Sequence, residues 1–262
     1  RATIAKEKGL EPLALKIFEQ PEMDLQAEAS AFIDAEKGVA SVEEALAGAR
    51  DIMAEWVSED QHAREKMRAL FATKGMMRSK VIKGKEEEGI KYKDYYEWEE
   101  PVSTAPSHRI LAIRRGEGEG FLILHVTPPE EDALALLEAL IVKGSGPASE
   151  QVRSAVHDSY KRLLSASMEA ETRLAIKKRA DEEAIRVFVE NLRQLLLSPP
   201  LGSRNILAID PGFRTGCKVV CLDRQGKLLH NDTIYPNFSD KKIAEAGEKI
   251  RTLCSRFGIE AI

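Results

Sequence analysis

The sequence predicts a mainly α-helical region followed by a partial α/β domain, and three observations carry that reading. Apolar residues recur at three- and four-residue spacing through most of residues 1–197. Ser198-Pro199-Pro200-Leu201-Gly202 then interrupts the pattern with two prolines and a glycine. Beyond it come short apolar runs at 206–209 and 219–222, separated by Asp210, a Pro211-Gly212 turn and Phe213-Arg214-Thr215-Gly216. An acidic residue closing the first strand of such a hairpin is how an RNase H-like domain begins. Only 46 residues follow Gly216, so the chain reads as a piece of a longer protein, and the first residue, Arg1 rather than methionine, suggests a trimmed start.

Residues 1–73 read as short helices. Leu10, Leu13, Ile17 and Phe18 form one apolar stripe ending near Pro21. Ser41 with Glu44 makes a capping box, in which hydroxyl and carboxylate satisfy each other's backbone amides. Behind it Leu46, Ala49, Ile52, Met53 and Trp56 keep helical spacing. A second box, Ser58 to Gln61, is expected to open the next helix, with Ala63, Met67, Leu70 and Phe71 inward. Residues 74–105 are irregular, rich in Lys and Glu and then in Tyr and Trp. Ser107 is expected to cap a helix through Ile113 that the Gly116-Glu117-Gly118-Glu119-Gly120 run breaks, and 121–126 is a strand stopped by Pro128-Pro129. Residues 130–142 form an apolar helix. From Ala148 to Leu197 the pattern is helical for 50 residues, which exceeds ordinary globular lengths; a break at Ser165-Ala166-Ser167 and two antiparallel helices are expected. Then come strands at 204–209, 217–222 and 227–235, a helix over 240–257 with Ile243, Ala246, Ile250, Cys254 and Phe257 on one face, and a fourth strand opening at Ile259. Three strands, a helix and a strand is the RNase H-like order.

Charge divides along the same boundary. The chain carries a net −4, with +3 on residues 203–262 and −7 on residues 1–202. A mildly basic carboxy-terminal part beside an acidic helical part is compatible with nucleic-acid contact at one end. No apolar run approaches the roughly 20 residues that span a bilayer, and no secretory signal opens the chain, so no membrane partner is expected. Three cysteines, Cys217, Cys221 and Cys254, suggest a reducing compartment and a cytoplasmic location. Cys217 and Cys221 share a strand face and read as small core residues, since no histidine completes a zinc set.

Asp210 is the sharpest chemical candidate. RNase H-like nucleases converge carboxylates on two metal ions about 4 Å apart, and one carboxylate cannot do this. Three readings stand: an inherited site position without nuclease activity, one carboxylate of a working Mg²⁺- or Mn²⁺-dependent nuclease, or a residue that shapes the turn. Asp223 lies at the far end of the neighbouring strand and reads as a turn residue. Gly212 and Gly216 fit positions of positive φ or close backbone approach. Arg214 and Thr215 could contact phosphate from the exposed loop. Lys80, Lys83 and Lys85 with Tyr92, Tyr95, Tyr96 and Trp98 mix basic and aromatic residues, as single-strand binders do; the adjacent Glu86, Glu87 and Glu88 favour helix packing instead. His108, His125 and His157 lack partners at metal spacing, and Gly144-Ser145-Gly146 is no phosphate loop.

The hairpin ILAIDPGFRTGCKVVCLD at 206–223, preceded by RADEEAIRVFVENLRQLLLSPPLG at 179–202, resembles the bacterial Tex transcription accessory proteins. Residues 2–14, 79–120 and 156–173 resemble the same family, in the same order. The resemblance implies a helical central region over 1–202 and the first half of a YqgF/RuvC-like domain over 203–262. It implies a scaffold in transcription, associated with RNA or DNA through helix-hairpin-helix and OB-fold modules outside this chain, and contact with the transcription machinery. It also implies a RuvC-like domain without the full carboxylate set, hence no enzyme and no metal cofactor; the alternative is a metal-dependent nuclease or resolvase using Asp210. By position, Asp210 matches the first acidic residue of such folds, and Gly212 and Gly216 match the turn.

Overall fold

In the computed structural model, which describes residues 1–262, the first half of the chain is built from helices that the sequence caps locally. Helices α1 (Ala2–Glu7), α2 (Glu11–Glu19), α3 (Leu25–Ser30), α4 (Val42–Glu59) and α5 (Gln61–Lys74) lead the chain. Asp24 caps α3 and Ser41 caps α4, each accepting from backbone amides of the first turn. The Ser41 box is shifted by one residue, since Glu44 accepts from the Ala40 amide rather than that of Ser41. The expected second box is absent. Asp60 is the N-cap of α5, accepting from the Ala63 amide at 2.7 Å. Ser58 instead lies in the last turn of α4 and donates to the Glu55 carbonyl. An ionised carboxylate is the stronger acceptor for an orphan amide.

Two strands and a 3-10 turn occupy the segment that reads as irregular. β1 (Met76–Val81), the turn Ile90–Tyr95, and β2 (Glu97–Pro101) precede α6 (Ser107–Gly118) and β3 (Leu122–Thr127). The sheet is antiparallel with order β2-β1-β3. Helix α6 does not end at Ile113: it runs to Gly118, and Leu122 packs so closely on the buried Gly116 that a Cβ there would meet its side chain at 2.7 Å. Pro106 rather than Ser107 holds the N-cap position, and the Ser107 hydroxyl bonds Glu183 instead.

Helices α7 (Glu130–Ile141) and α8 (Pro147–Ser159) follow. Gln20, in the left-handed conformation that ends α2, clamps the end of α7. Its amide donates to the Ile141 carbonyl at 2.9 Å and accepts from the Lys143 amide at 2.7 Å. The expected break at residues 165–167 does not occur. Helical backbone continues from α8 through a π-turn, Tyr160–Leu164, into α9 (Ser165–Leu197). Val156, Tyr160, Leu164 and Met168 are all buried at four-residue steps. In a regular α-helix each such step drifts by about 40°; the wider π-turn absorbs that drift and keeps the stripe on the core.

Two apolar cores result. One gathers α2, α4, α5, α7 and α8 around Leu13, Ile17, Ile52, Met67 and Phe71. The other lies under the sheet, where Met77, Leu122, Leu124 and Val126 meet α6 and the α9 residues Ile176 and Ala180. The outer edge of β3 is closed by α9: the Val126 amide donates to Glu169 at 2.9 Å, and Arg173 donates to the Leu124 carbonyl at 2.8 Å. Side chains thus complete an edge that would otherwise present unpaired backbone.

The chain divides into two compact units, Arg1–Glu190 and Asn191–Ile262. The second holds β4 (Ile206–Asp210), β5 (Cys217–Leu222), β6 (Leu228–Ile234) and α10 (Asp240–Phe257), with the antiparallel order β4-β5-β6. Leu207, Cys217, Val219, Cys221 and Ile234 form its core with Ala246 and Leu253 of α10. Leu253 takes the inward place expected of Ile243, which is exposed. All three cysteines are free thiols, and burial pushes the Cys221 thiol up. Ala261 pairs with Ile206 in parallel, and the Leu207 amide donates to the Ala261 carbonyl at 3.0 Å. The fourth strand expected from Ile259 is thus present as a single parallel bridge on the free edge of β4.

Candidate nucleic-acid interface

The β4–β5 turn is shaped by its two glycines, each for a different reason. Gly216 has φ +81°, a conformation that L side chains rarely adopt. Gly212 has an ordinary φ, but a Cβ there would lie 2.4 Å from the Gly216 carbonyl oxygen. One glycine turns the chain, and the other lets the two limbs of the turn close. Asp210 ends β4, exposed and in register with Lys218. Phe213, Arg214 and Thr215 are exposed across the tip, Phe213 by 82%.

Gly216 also brings in residues that the sequence does not associate with the turn. A Cβ on it would sit 2.5 Å from the Tyr235 ring, so Tyr235 lies directly over the glycine. Tyr235 packs edge-on against Phe238, with ring centroids 5.4 Å apart, and both rings are exposed. A small cleft of about 130 Å³ beside Tyr235 is lined by Thr233, Lys242 and Lys249 among others. Lys242 bonds Glu245, and Lys249 bonds Asp232 at 2.8 Å. This end of the sheet thus offers exposed rings, a rim of ion-paired lysines and an arginine on a tight turn. Only spatial proximity to Gly216 could have revealed Tyr235 and Phe238, which stand about twenty residues downstream.

Within β4, β5 and β6 no carboxylate shares the face of Asp210. Val219 is in register with Asp232 and Lys218 with Thr233. Strand alternation therefore places Asp232 with Ile209 on one face and Asp210 with Lys218 on the other. Asp232 is tied to Lys249, which holds its carboxyl below the usual aspartate range. Asp223 accepts from the Gln225 and Lys227 amides at 2.9 Å and is a turn residue. No group of three or more His, Cys, Asp or Glu side chains converges anywhere in the chain.

Several of the other candidates are engaged in packing or ion pairs. Tyr92 is buried, and Tyr95, Tyr96 and Trp98 pack against the core beneath the sheet. Lys85 bonds Glu88 at 2.8 Å. His157 lies 2.5 Å from Glu138 and keeps its carboxyl below the ordinary glutamate range, and His125 faces Glu169 at 3.3 Å. No helix is long and apolar enough to cross a membrane.

Residues 20–188 match the Tex central region-like family model, and residues 204–262 match the Tex protein YqgF-like domain. The chain belongs to the Tex family. It is 41% identical over 265 residues to the YdcI protein of Bacillus subtilis, covering all of this chain and 37% of that protein. It is 36% identical over 277 residues to the protein tex of Bordetella pertussis, covering all of this chain and 35% of the relative. A more distant relative, the human S1 RNA-binding domain-containing protein 1, is 26% identical over 276 residues, all of this chain and 27% of that protein. The chain thus spans about a third of the bacterial relatives it matches. The YqgF-like match begins six residues before Asp210 and takes in the whole turn just described.

Proposed function

We propose that this Tex-family chain is a scaffold of a transcription accessory protein, in which a helical region (residues 1–202) carries an RNase H-like domain (from residue 203) that contacts nucleic acid without cutting it. The observation behind it is the exposed β4–β5 turn that follows Asp210, where Phe213, Arg214 and Thr215 stand beside the exposed rings of Tyr235 and Phe238. Two-metal cleavage requires several converging carboxylates, whereas a binding surface needs only exposed rings and cations such as those at this turn. Rings that stack bases and cations that follow phosphates are the usual parts of a single-strand binder.

RNA is the favoured partner, since one relative is named for an S1 RNA-binding domain. Most of the affinity resides in parts of the longer protein outside this span, and Arg214 and Thr215 supply an auxiliary phosphate contact. The helical region is the platform on which transcription machinery assembles. Three free thiols suit a reducing, cytoplasmic setting.

The nuclease question is settled by incubating single-stranded RNA and a branched DNA with the intact protein in Mg²⁺ or Mn²⁺. Both substrates are expected to stay intact. Cleavage that disappears in Asp210→Asn would overturn the scaffold reading.

A further inference from the structure

Within the helical unit, α5, the loop after β2 and α9 enclose an open cleft of about 400 Å³, within the size range of ordinary ligand sites. Its floor is apolar: Ala72 from α5, Val102 from the loop, and Ala175 and Ile176 from α9. Guanidinium groups flank it. Arg179 is fixed from within, its Nη2 donating to the Val102 carbonyl at 2.9 Å and the Ala105 carbonyl at 3.4 Å. These bonds leave Nε and Nη1 outside them. Arg68 lines the cleft from α5 and donates through Nε to Glu171 at 2.6 Å. Glu171, the one acid on the wall, is also bonded by Arg64. Two arginines, Arg68 and Arg179, line the cleft against one glutamate, whose charge Arg64 also offsets from outside the lining, so the cleft is locally positive.

We propose that this cleft binds a polypeptide segment that inserts one large apolar side chain next to a carboxylate. The apolar floor takes the side chain, and the guanidiniums take the carboxylate, for which a fixed planar fork is well suited. Arg179 is already ordered by two carbonyls, so little side-chain entropy is lost on binding. A nucleic-acid strand fits less well. Residues 1–202 carry a net −7, which repels a polyanion at long range, while a single carboxylate with an apolar anchor is held by short-range contact.

The test is a titration of the ¹⁵N-labelled chain with the peptide acetyl-Glu-Phe-Glu-amide, read at the Thr172 and Ala175 amides. Saturable shifts at about millimolar concentration are expected for so small a probe. Gln-Phe-Gln should bind at least fivefold more weakly at low salt, and Glu-Ala-Glu should not saturate. Ala175→Trp fills the cleft from an exposed helix position and should abolish the shifts while the amides of β4, β5 and β6 stay put. Arg179→Gln should weaken binding about three- to tenfold. Equal binding of the Gln-Phe-Gln peptide, an unchanged titration in Ala175→Trp, no saturable shift at all, or displacement of the peptide by oligo(U) would each overturn the proposal.

Discussion

Gly216 is the residue on which the turn depends most. A side chain there meets both an unfavourable φ of +81° and the Tyr235 ring. Gly216→Ala should therefore destabilise the second unit by about 1–3 kcal/mol, seen as a lower urea midpoint with an unchanged slope. Phe213→Ala is the opposite case. Its ring is 82% exposed, so stability should change by less than about 0.5 kcal/mol, while affinity for single-stranded RNA should fall by about 1 kcal/mol or more if the ring stacks a base. Glu171 gives a pH signature. Bonds from Arg68 and Arg64 hold its carboxyl below the usual glutamate range. A depressed folded-state pKa means that the ion pairs contribute at neutral pH and are lost as pH falls through the ordinary value of about 4.3 and below. Urea midpoints measured from pH 7 to pH 3 should drop less steeply in Glu171→Gln than in the unchanged chain; identical acid arms would show that the pairs are screened away.

Among the elements, the capped edge of β3 is the most exposed to perturbation. Glu169 satisfies the Val126 amide, and that amide has no strand beyond it. Glu169→Ala should cost about 1–3 kcal/mol, the penalty for a stranded backbone donor, and should speed exchange at the Val126 amide above its neighbours. Uniform exchange along β3 would mean that water replaces the carboxylate without loss. Periodicity made other elements legible. β5 and α10 fall at the positions expected from alternation and from helical spacing, because each has one wet and one dry face. β1 and β2 escaped notice for the converse reason. β1 buries only Met77 and Ser79, with Arg78 and Lys80 alternating between and after them, and β2 reads Glu-Trp-Glu-Glu-Pro with no fully buried position. The continuity of α8 into α9 was hidden as well. Ser165 and Ser167 resemble a stop, yet a serine costs a helix interior well under 1 kcal/mol, and the π-turn that rephases the stripe has no sequence mark of its own. At the site, Asp210, Gly212 and Gly216 were legible from order along the chain, whereas Tyr235 and Phe238 reach the turn only through the folded sheet.

At the scale of the whole molecule, the helical unit and the RNase H-like sheet answer different needs. The helices supply two large apolar cores and a surface dense in ion pairs. The sheet supplies a small core and an exposed turn, on the part of the sequence with positive net charge. A scaffold that touches RNA at that turn should bind weakly and electrostatically. The decisive measurement is fluorescence anisotropy of a labelled single-stranded RNA titrated with this chain at low and moderate salt, alongside Arg214→Ala. Binding that weakens steeply with salt, with a salt slope reduced by about one in Arg214→Ala, is the expected result. No binding at low salt, or binding indifferent to Arg214, would contradict nucleic-acid contact at the β4–β5 turn.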